Sequence, residues 1–242
     1  MDTIYWILLV VILGPLIGSF LGILISPGSG FLSGCFGFAA GVMIAISFIS
    51  LIPESMEAIA LHWVIFAFML GFSIMFLVDR IIPHFHPITN TDENASLERT
   101  ALTLIAGIAL HNLPEGFAVG ASFSSMADLG LLVAIAITVH DIPETIVPVS
   151  SARALGRTRR RAFSIGWLAT APTILGLMIG IALLHIISAE AVAFSLSVTA
   201  GFMIYIAGDE LLPASQGFKF PHITNFTFAA GILMVIALHM IV

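Results

Sequence analysis

Residues 101–124 read ALTLIAGIALHNLPEGFAVGASFS, and residues 129–151 read LGLLVAIAITVHDIPETIVPVSS. Each is an apolar run broken by one polar cluster. The first holds His111-Asn112-Leu113-Pro114-Glu115-Gly116 and the second His140-Asp141-Ile142-Pro143-Glu144-Thr145. A helix of ~20 apolar residues crosses a bilayer. A charged group at its centre costs at least about 2.5 kcal/mol, which makes an intramembrane ionisable residue a functional-site hypothesis by default. Here the same cluster occurs twice.

Helical geometry advances each residue by about 100°. Glu115 then falls between His111 and Asn112 on one narrow face, and Glu144 stands in the same relation to His140 and Asp141. Two such faces opposed offer two imidazoles and two central carboxylates, with Asn112 and Asp141 to one side. That donor set suits one divalent cation on His and Glu, with room for a second on Asn, Asp and the shared Glu residues. Pro114, Pro143 and Pro148 lack the N–H that would satisfy the carbonyls of Leu110, Val139 and Glu144. In a membrane those carbonyls need protein, water or an ion as partner, so the kinks fit a hydrated cavity beside the ligands.

Outward from these runs the whole chain has the same character. Of its 242 residues, 59% are hydrophobic and 9% charged, against about 25% charged in soluble domains. The fold class is therefore all-α integral membrane, read as a single transmembrane domain over 1–242. Spans are expected at 4–25, 33–52, 60–78, 99–124, 129–151, 163–186, 191–213 and 223–242. The net charge of −6 gives no sign of a nucleic-acid partner, and the one cysteine, Cys35, excludes an intrachain disulfide and a multi-thiolate site. The start, Met1-Asp2-Thr3-Ile4, lacks the basic region of a cleaved signal peptide, so the first run reads as a retained span.

All eight Lys and Arg residues lie in or beside three connections: Arg80 and Arg99; Arg153, Arg157 and Arg159 to Arg161; and Lys219. With eight spans these connections share one side, which the positive-inside rule makes cytoplasmic. Both termini are then outside, and 79–98 is a cytoplasmic loop. Leu51-Ile52-Pro53-Glu54-Ser55 and Leu211-Leu212-Pro213-Ala214-Ser215 end spans that run in opposite directions. Inverted repeats around a midplane site on broken helices are a transporter signature.

The paired motifs, the eight spans and the His-bearing third connection resemble the ZIP (Zrt/Irt-like) divalent metal transporters, in particular compact bacterial members. His111 to Gly116 matches the family form H-N-x-P-E-G throughout; the second copy departs at Asp141 and Thr145. The resemblance implies a 3+2+3-like inverted-repeat fold and a metal site of His111, Asn112, Glu115, His140, Asp141 and Glu144, with Met43 as a soft ligand. It implies metal access at the outer mouth past Ser50 and Glu57. It also implies a cytoplasmic exit site drawing on Asp79, His84 and His86, joined by Asp209 and Glu210. Many relatives carry a glutamate before the proline of the sixth span; here Ala171 stands before Pro172.

The expected function is transport of divalent transition metals into the cytoplasm, zinc first, with iron, manganese, cobalt, nickel and cadmium as further candidates. The expected place is a bacterial inner membrane, with the lipid bilayer and the metal as partners and a homodimer compatible with the resemblance. No catalytic residue and no cofactor are expected. An intramembrane metal-dependent hydrolase is the rival reading. H-E-x-x-H is absent, however, and the H-x-x-x-E pairs leave no separate general base.

Overall fold

Pro53 and Pro213, expected at span ends, instead lie inside longer helices. The computed structural model describes residues 2–81, 112–154, 156–184 and 188–241. Among these the chain folds into α1 (Asp2–Leu24), α2 (Ser29–Ala58), α3 (Leu61–Ile81), α4 (112–125), α5 (Ala127–Ala154), α6 (Arg159–Leu184), α7 (Ala189–Gly217) and α8 (Pro221–Ile241). Seven of these are long and apolar enough to cross a membrane. The exception, α4, is described only from Asn112 onward. Asp79 and Arg80, expected in a loop, complete α3; the rest of that connection, with His84 and His86, lies outside the described residues.

A proline ring clashes with the carbonyl four residues before it in a regular helix. Both helices absorb that clash by widening one turn to π geometry just ahead of the proline. The wide turns cover Ile46–Leu51 in α2 and Ala207–Leu211 in α7. Single π turns of this kind often mark functional positions.

The helices pair as an inverted repeat requires. α1 packs along α5, α2 along α8, and α3 along α7. The contacts that fasten α2 to α8 recur between α7 and α3. A methyl group added to Gly41 would overlap the Phe228 carbonyl, and one added to Gly201 would overlap the equivalent Phe68 carbonyl. Gly231 against Phe38 and Gly71 against Val198 complete the two sets. Hydroxyls repeat the exchange: Ser33 donates to the Ser215 carbonyl, and Ser55 donates to the Ala193 carbonyl. Ser33 and Ala193 occupy equivalent places in the repeats, as do Ser55 and Ser215. Helices without a hydrophobic drive toward one another associate through close backbone approach at small residues and through such hydrogen bonds.

The outer surface is apolar, with Trp6, Phe20, Trp63, Phe66, Phe226 and Met240 all exposed. The interior by contrast buries Asn112, Glu115, His140, Asp141 and Glu144. This inside-out distribution is that of a chain solvated by lipid.

Candidate metal centre

α4 and α5 bring the acidic halves of the two motifs together. On α4, Asn112 and Glu115 are three residues apart and share a face. On α5, His140, Asp141 and Glu144 do the same. Glu115, His140, Asp141 and Glu144 each offer one donor atom, and these atoms lie within 4.8 Å of one another. A tetrahedral ion with ligands at about 2.1 Å separates its donors by roughly 3.4 Å, so modest side-chain rotations close the set around one ion. All four residues are buried.

His140 is held for this role. Its Nδ1 lies 3.2 Å from the Ala136 carbonyl, one helical turn back. Only a protonated Nδ1 can donate there, which leaves Nε2 to face the carboxylates. Nε2 is 3.1 Å from Glu115 Oε1 and 3.5 Å from Asp141 Oδ1. Two lone pairs cannot share a contact of that length, so a proton or a cation must lie between them. Three buried carboxylates make the same demand, since an isolated ionised group inside a protein neutralises or finds a counter-charge. No Lys or Arg lies in α4, and the basic residues of α5 and α6 occupy only their end turns.

Asn112 is oriented from α6. Its amide Nδ2 donates to the Ala169 carbonyl at 2.9 Å, while its Oδ1 is buried and has no hydrogen-bond partner among the described residues. That oxygen is available as a neutral donor. The Oε2 of Glu115 is likewise buried without a partner. α6 offers no carboxylate here: Ala171 is half-buried, Thr170 donates to its own helix at Gly166 or Trp167, and the Thr173 hydroxyl has no partner among the described residues. His111 lies just outside the described residues.

The structure also explains the sixth residue of each motif. Gly116 lies so close to the Thr173 backbone of α6 that a Cβ could not fit. In the second copy the roles reverse. Thr145 is the larger partner, and Gly18 of α1 and Gly166 of α6 make room for it. Thr145 is thus the packing counterpart of Gly116 with the glycine moved to the opposite helices.

The other expected residues separate into three places. Met43 is fully buried in the core beside the wide turn of α2. Ser50 ends up inside that turn, buried and with its hydroxyl unpartnered among the described residues, whereas Glu57 is exposed at the helix end. Between them Glu54, not singled out from the sequence, accepts a hydrogen bond from Ser125 at the far end of α4. At the opposite end the Tyr205 hydroxyl donates to Asp79 Oδ2 at 2.9 Å and also faces Asp209. Sequence reading missed Tyr205 because nothing local distinguishes it from a lipid-interface tyrosine. Asp209 is exposed and Glu210 half-buried on the wide turn of α7.

Comparison with known proteins places this geometry in a lineage. The family profile described as ZIP zinc transporter matches residues 89–239. The zinc transporter ZupT of Corynebacterium aurimucosum is 32% identical over 221 residues, covering 85% of this chain and 83% of that protein. ZupT of Chlorobium limicola is 33% identical over 230 residues, covering 86% and 85%. ZupT of Escherichia coli O7:K1 is 33% identical over 209 residues, covering 83% and 81%. These are transporters, and nothing in the comparisons favours a hydrolase.

Proposed function

This chain belongs to the ZIP zinc transporter family, and we propose that it carries divalent transition metals, zinc first, across a bacterial inner membrane into the cytoplasm. The observation that carries this reading is the buried set Glu115, His140, Asp141 and Glu144, with donor atoms within 4.8 Å on two helices that each contain proline. In this reading Glu115, His140 and Glu144 hold the ion with His111, and Asp141 and the Asn112 oxygen complete or orient the shell. Iron, manganese, cobalt, nickel and cadmium suit the same nitrogen and oxygen donors. Met43 adds a soft donor for the more thiophilic of them.

Metal reaches the site past Ser50, Glu54 and Glu57, and leaves past Asp79, Asp209 and Glu210 with His84 and His86. Protons compete with metal for imidazole and carboxylate, so protonation of His140 and the carboxylates favours release. An apolar crevice of about 350 Å³ separates Leu113, Pro114 and Phe117 of α4 from Phe194, Val198 and Phe202 of α7. A gap of this kind suits sliding of α4 and its partners against α7 during alternating access.

Zinc uptake into proteoliposomes containing the purified chain tests the reading. Metal-dependent uptake that saturates is expected; liposomes indistinguishable from protein-free ones would overturn it. Orientation is tested separately. A cysteine at Ser96, with Cys35 replaced, should resist an impermeant thiol reagent in intact cells, and ready labelling would reverse the assigned direction.

A further inference from the structure

Where α1 turns into α2, a cavity of about 400 Å³ opens against the end of α5 and the start of α6. Ile23, Leu24, Ser26, Ser150, Arg153 and Arg159 are among the residues that line it. Among the described residues no carboxylate lines it. The end turn of α5, the connection after it and the first turn of α6 carry five arginines within nine residues: Arg153, Arg157, Arg159, Arg160 and Arg161.

Two features of this corner run against local stability. Helix N-termini favour anions, because their free N–H groups carry partial positive charge. Here Arg159, Arg160 and Arg161 occupy the first turn of α6, which has no acidic residue. Arg153 spends one guanidinium N–H on the Arg157 carbonyl, which leaves its other donors for the cavity. Arg159 is exposed and, among the described residues, has no hydrogen-bond or ion-pair partner. Sites that break a local rule without a compensating contact are where function is expected. Membrane orientation alone requires positive charge on this side. It does not require two guanidinium groups and three serines around one concavity.

We propose that this cavity binds the phosphate headgroup of an anionic phospholipid. Guanidinium groups pair with phosphate oxygens through two parallel hydrogen bonds, and the Ser26 hydroxyl supplies a further donor. The aliphatic wall decides between a lipid and a soluble phosphate. Ile23 and Leu24 continue into the lipid-facing surface of α1, where Phe20 and Leu24 are exposed. An acyl chain can follow that surface while the headgroup sits over the arginines. Basic pockets between membrane helices on the positively charged side recognise anionic headgroups in this way. A lipid held there would tie the α1–α2 turn to α5 and α6, the helices that carry or orient the metal centre.

The purified full-length chain in detergent, titrated with phosphatidylglycerol and read by native mass spectrometry, tests this. Phosphatidylglycerol should be retained and phosphatidylcholine should not. The double variant R153Q/R159Q should weaken retention about thirtyfold, at the usual electrostatic worth of two basic residues near an anionic surface. R160Q/R161Q removes the same charge outside the cavity and should leave retention unchanged. Ser26→Trp fills the cavity mouth at an exposed loop position without altering charge, and should also weaken retention. It serves as the deciding variant if the arginine pair proves necessary for folding. Equal loss in both arginine pairs would reduce the effect to diffuse charge, and unchanged retention in Ser26→Trp would remove the cavity from it. Equal retention of phosphatidylcholine, or displacement of phosphatidylglycerol by millimolar inorganic phosphate, would also overturn the proposal.

Discussion

The α4–α5 pair and the α2–α7 pair solve one structural problem with different chemistry. Both lie in the interior and all four helices contain a proline. α2 and α7 fill their share with small and apolar groups: Ala40 and Ala200, Met43 and Met203, and Ile46 and Ile206 at equivalent places, all fully buried. α4 and α5 fill theirs with Asn112, Glu115, His140, Asp141 and Glu144. The fold therefore does not need buried charge to pack broken helices in this membrane. Replacing a buried ionic cluster by apolar groups is often neutral or stabilising. That contrast supports reading the cluster on α4 and α5 as a binding site rather than as packing.

The largest effect should come from breaking the polar side of that contrast. Alanine at Glu115, His140 or Glu144 removes a donor that no neighbour replaces, and alanine at His111 should act alike. Each should lower zinc uptake more than about tenfold, the least that disturbing even an outer-shell partner of a metal site usually costs. Membrane abundance should stay near that of the unmodified protein. Wild-type uptake in all four variants would mean that the cluster is structural after all.

Breaking the apolar side should do the reverse. Gly41→Ala or Gly201→Ala pushes a methyl into a backbone carbonyl of the neighbouring helix. Each should destabilise the fold by about 1–3 kcal/mol, the usual cost of overpacking. Because the two contacts are equivalent, the two losses should be similar in a detergent thermal-melting assay. A neutral Gly201→Ala beside a damaging Gly41→Ala would break the symmetry.

A smaller change should extend the polar side into α6. Two divalent ions bring four positive charges, while Glu115, Asp141 and Glu144 bring three negative ones, and Ala171 adds none. Neighbouring dications repel strongly in a low-dielectric site, so each missing carboxylate weakens the second ion. One tightly held metal is expected in the unmodified protein, with Ala171→Glu strengthening a second site. Calorimetric stoichiometry and anomalous diffraction check this, and two ions of equal occupancy without the substitution would contradict it.

The finest test uses the repeat as its own control. Met43 and Met203 hold equivalent, fully buried places, one in each wide-turned helix. If packing is the whole role of both, Met43→Ala and Met203→Ala should cost similar stability, about 2–5 kcal/mol. If Met43 also donates to metal, its removal alone should reduce cadmium transport relative to manganese, because thioether favours the softer ion. Equal cadmium-to-manganese ratios in the two variants would leave Met43 as core.

Much of this architecture is determined by sequence alone. Span number, helical class and the charged motif pair follow from the cost of polar groups in hydrocarbon, which acts residue by residue along the chain. The short match between residues 51–55 and 211–215 already marks the repeat. What the tertiary structure decided is everything that depends on which helix lies against which. The Ala169 carbonyl that turns Asn112 belongs to another helix, as do the Asp79 carboxylate that meets Tyr205 and the glycines that receive Thr145. So do the arginines that meet Ile23 and Leu24 around one cavity. The wide turns ahead of Pro53 and Pro213 also escape the sequence pattern. A proline reads locally as a helix end, and only packing on both sides of it makes continuing the helix through one π turn the better solution.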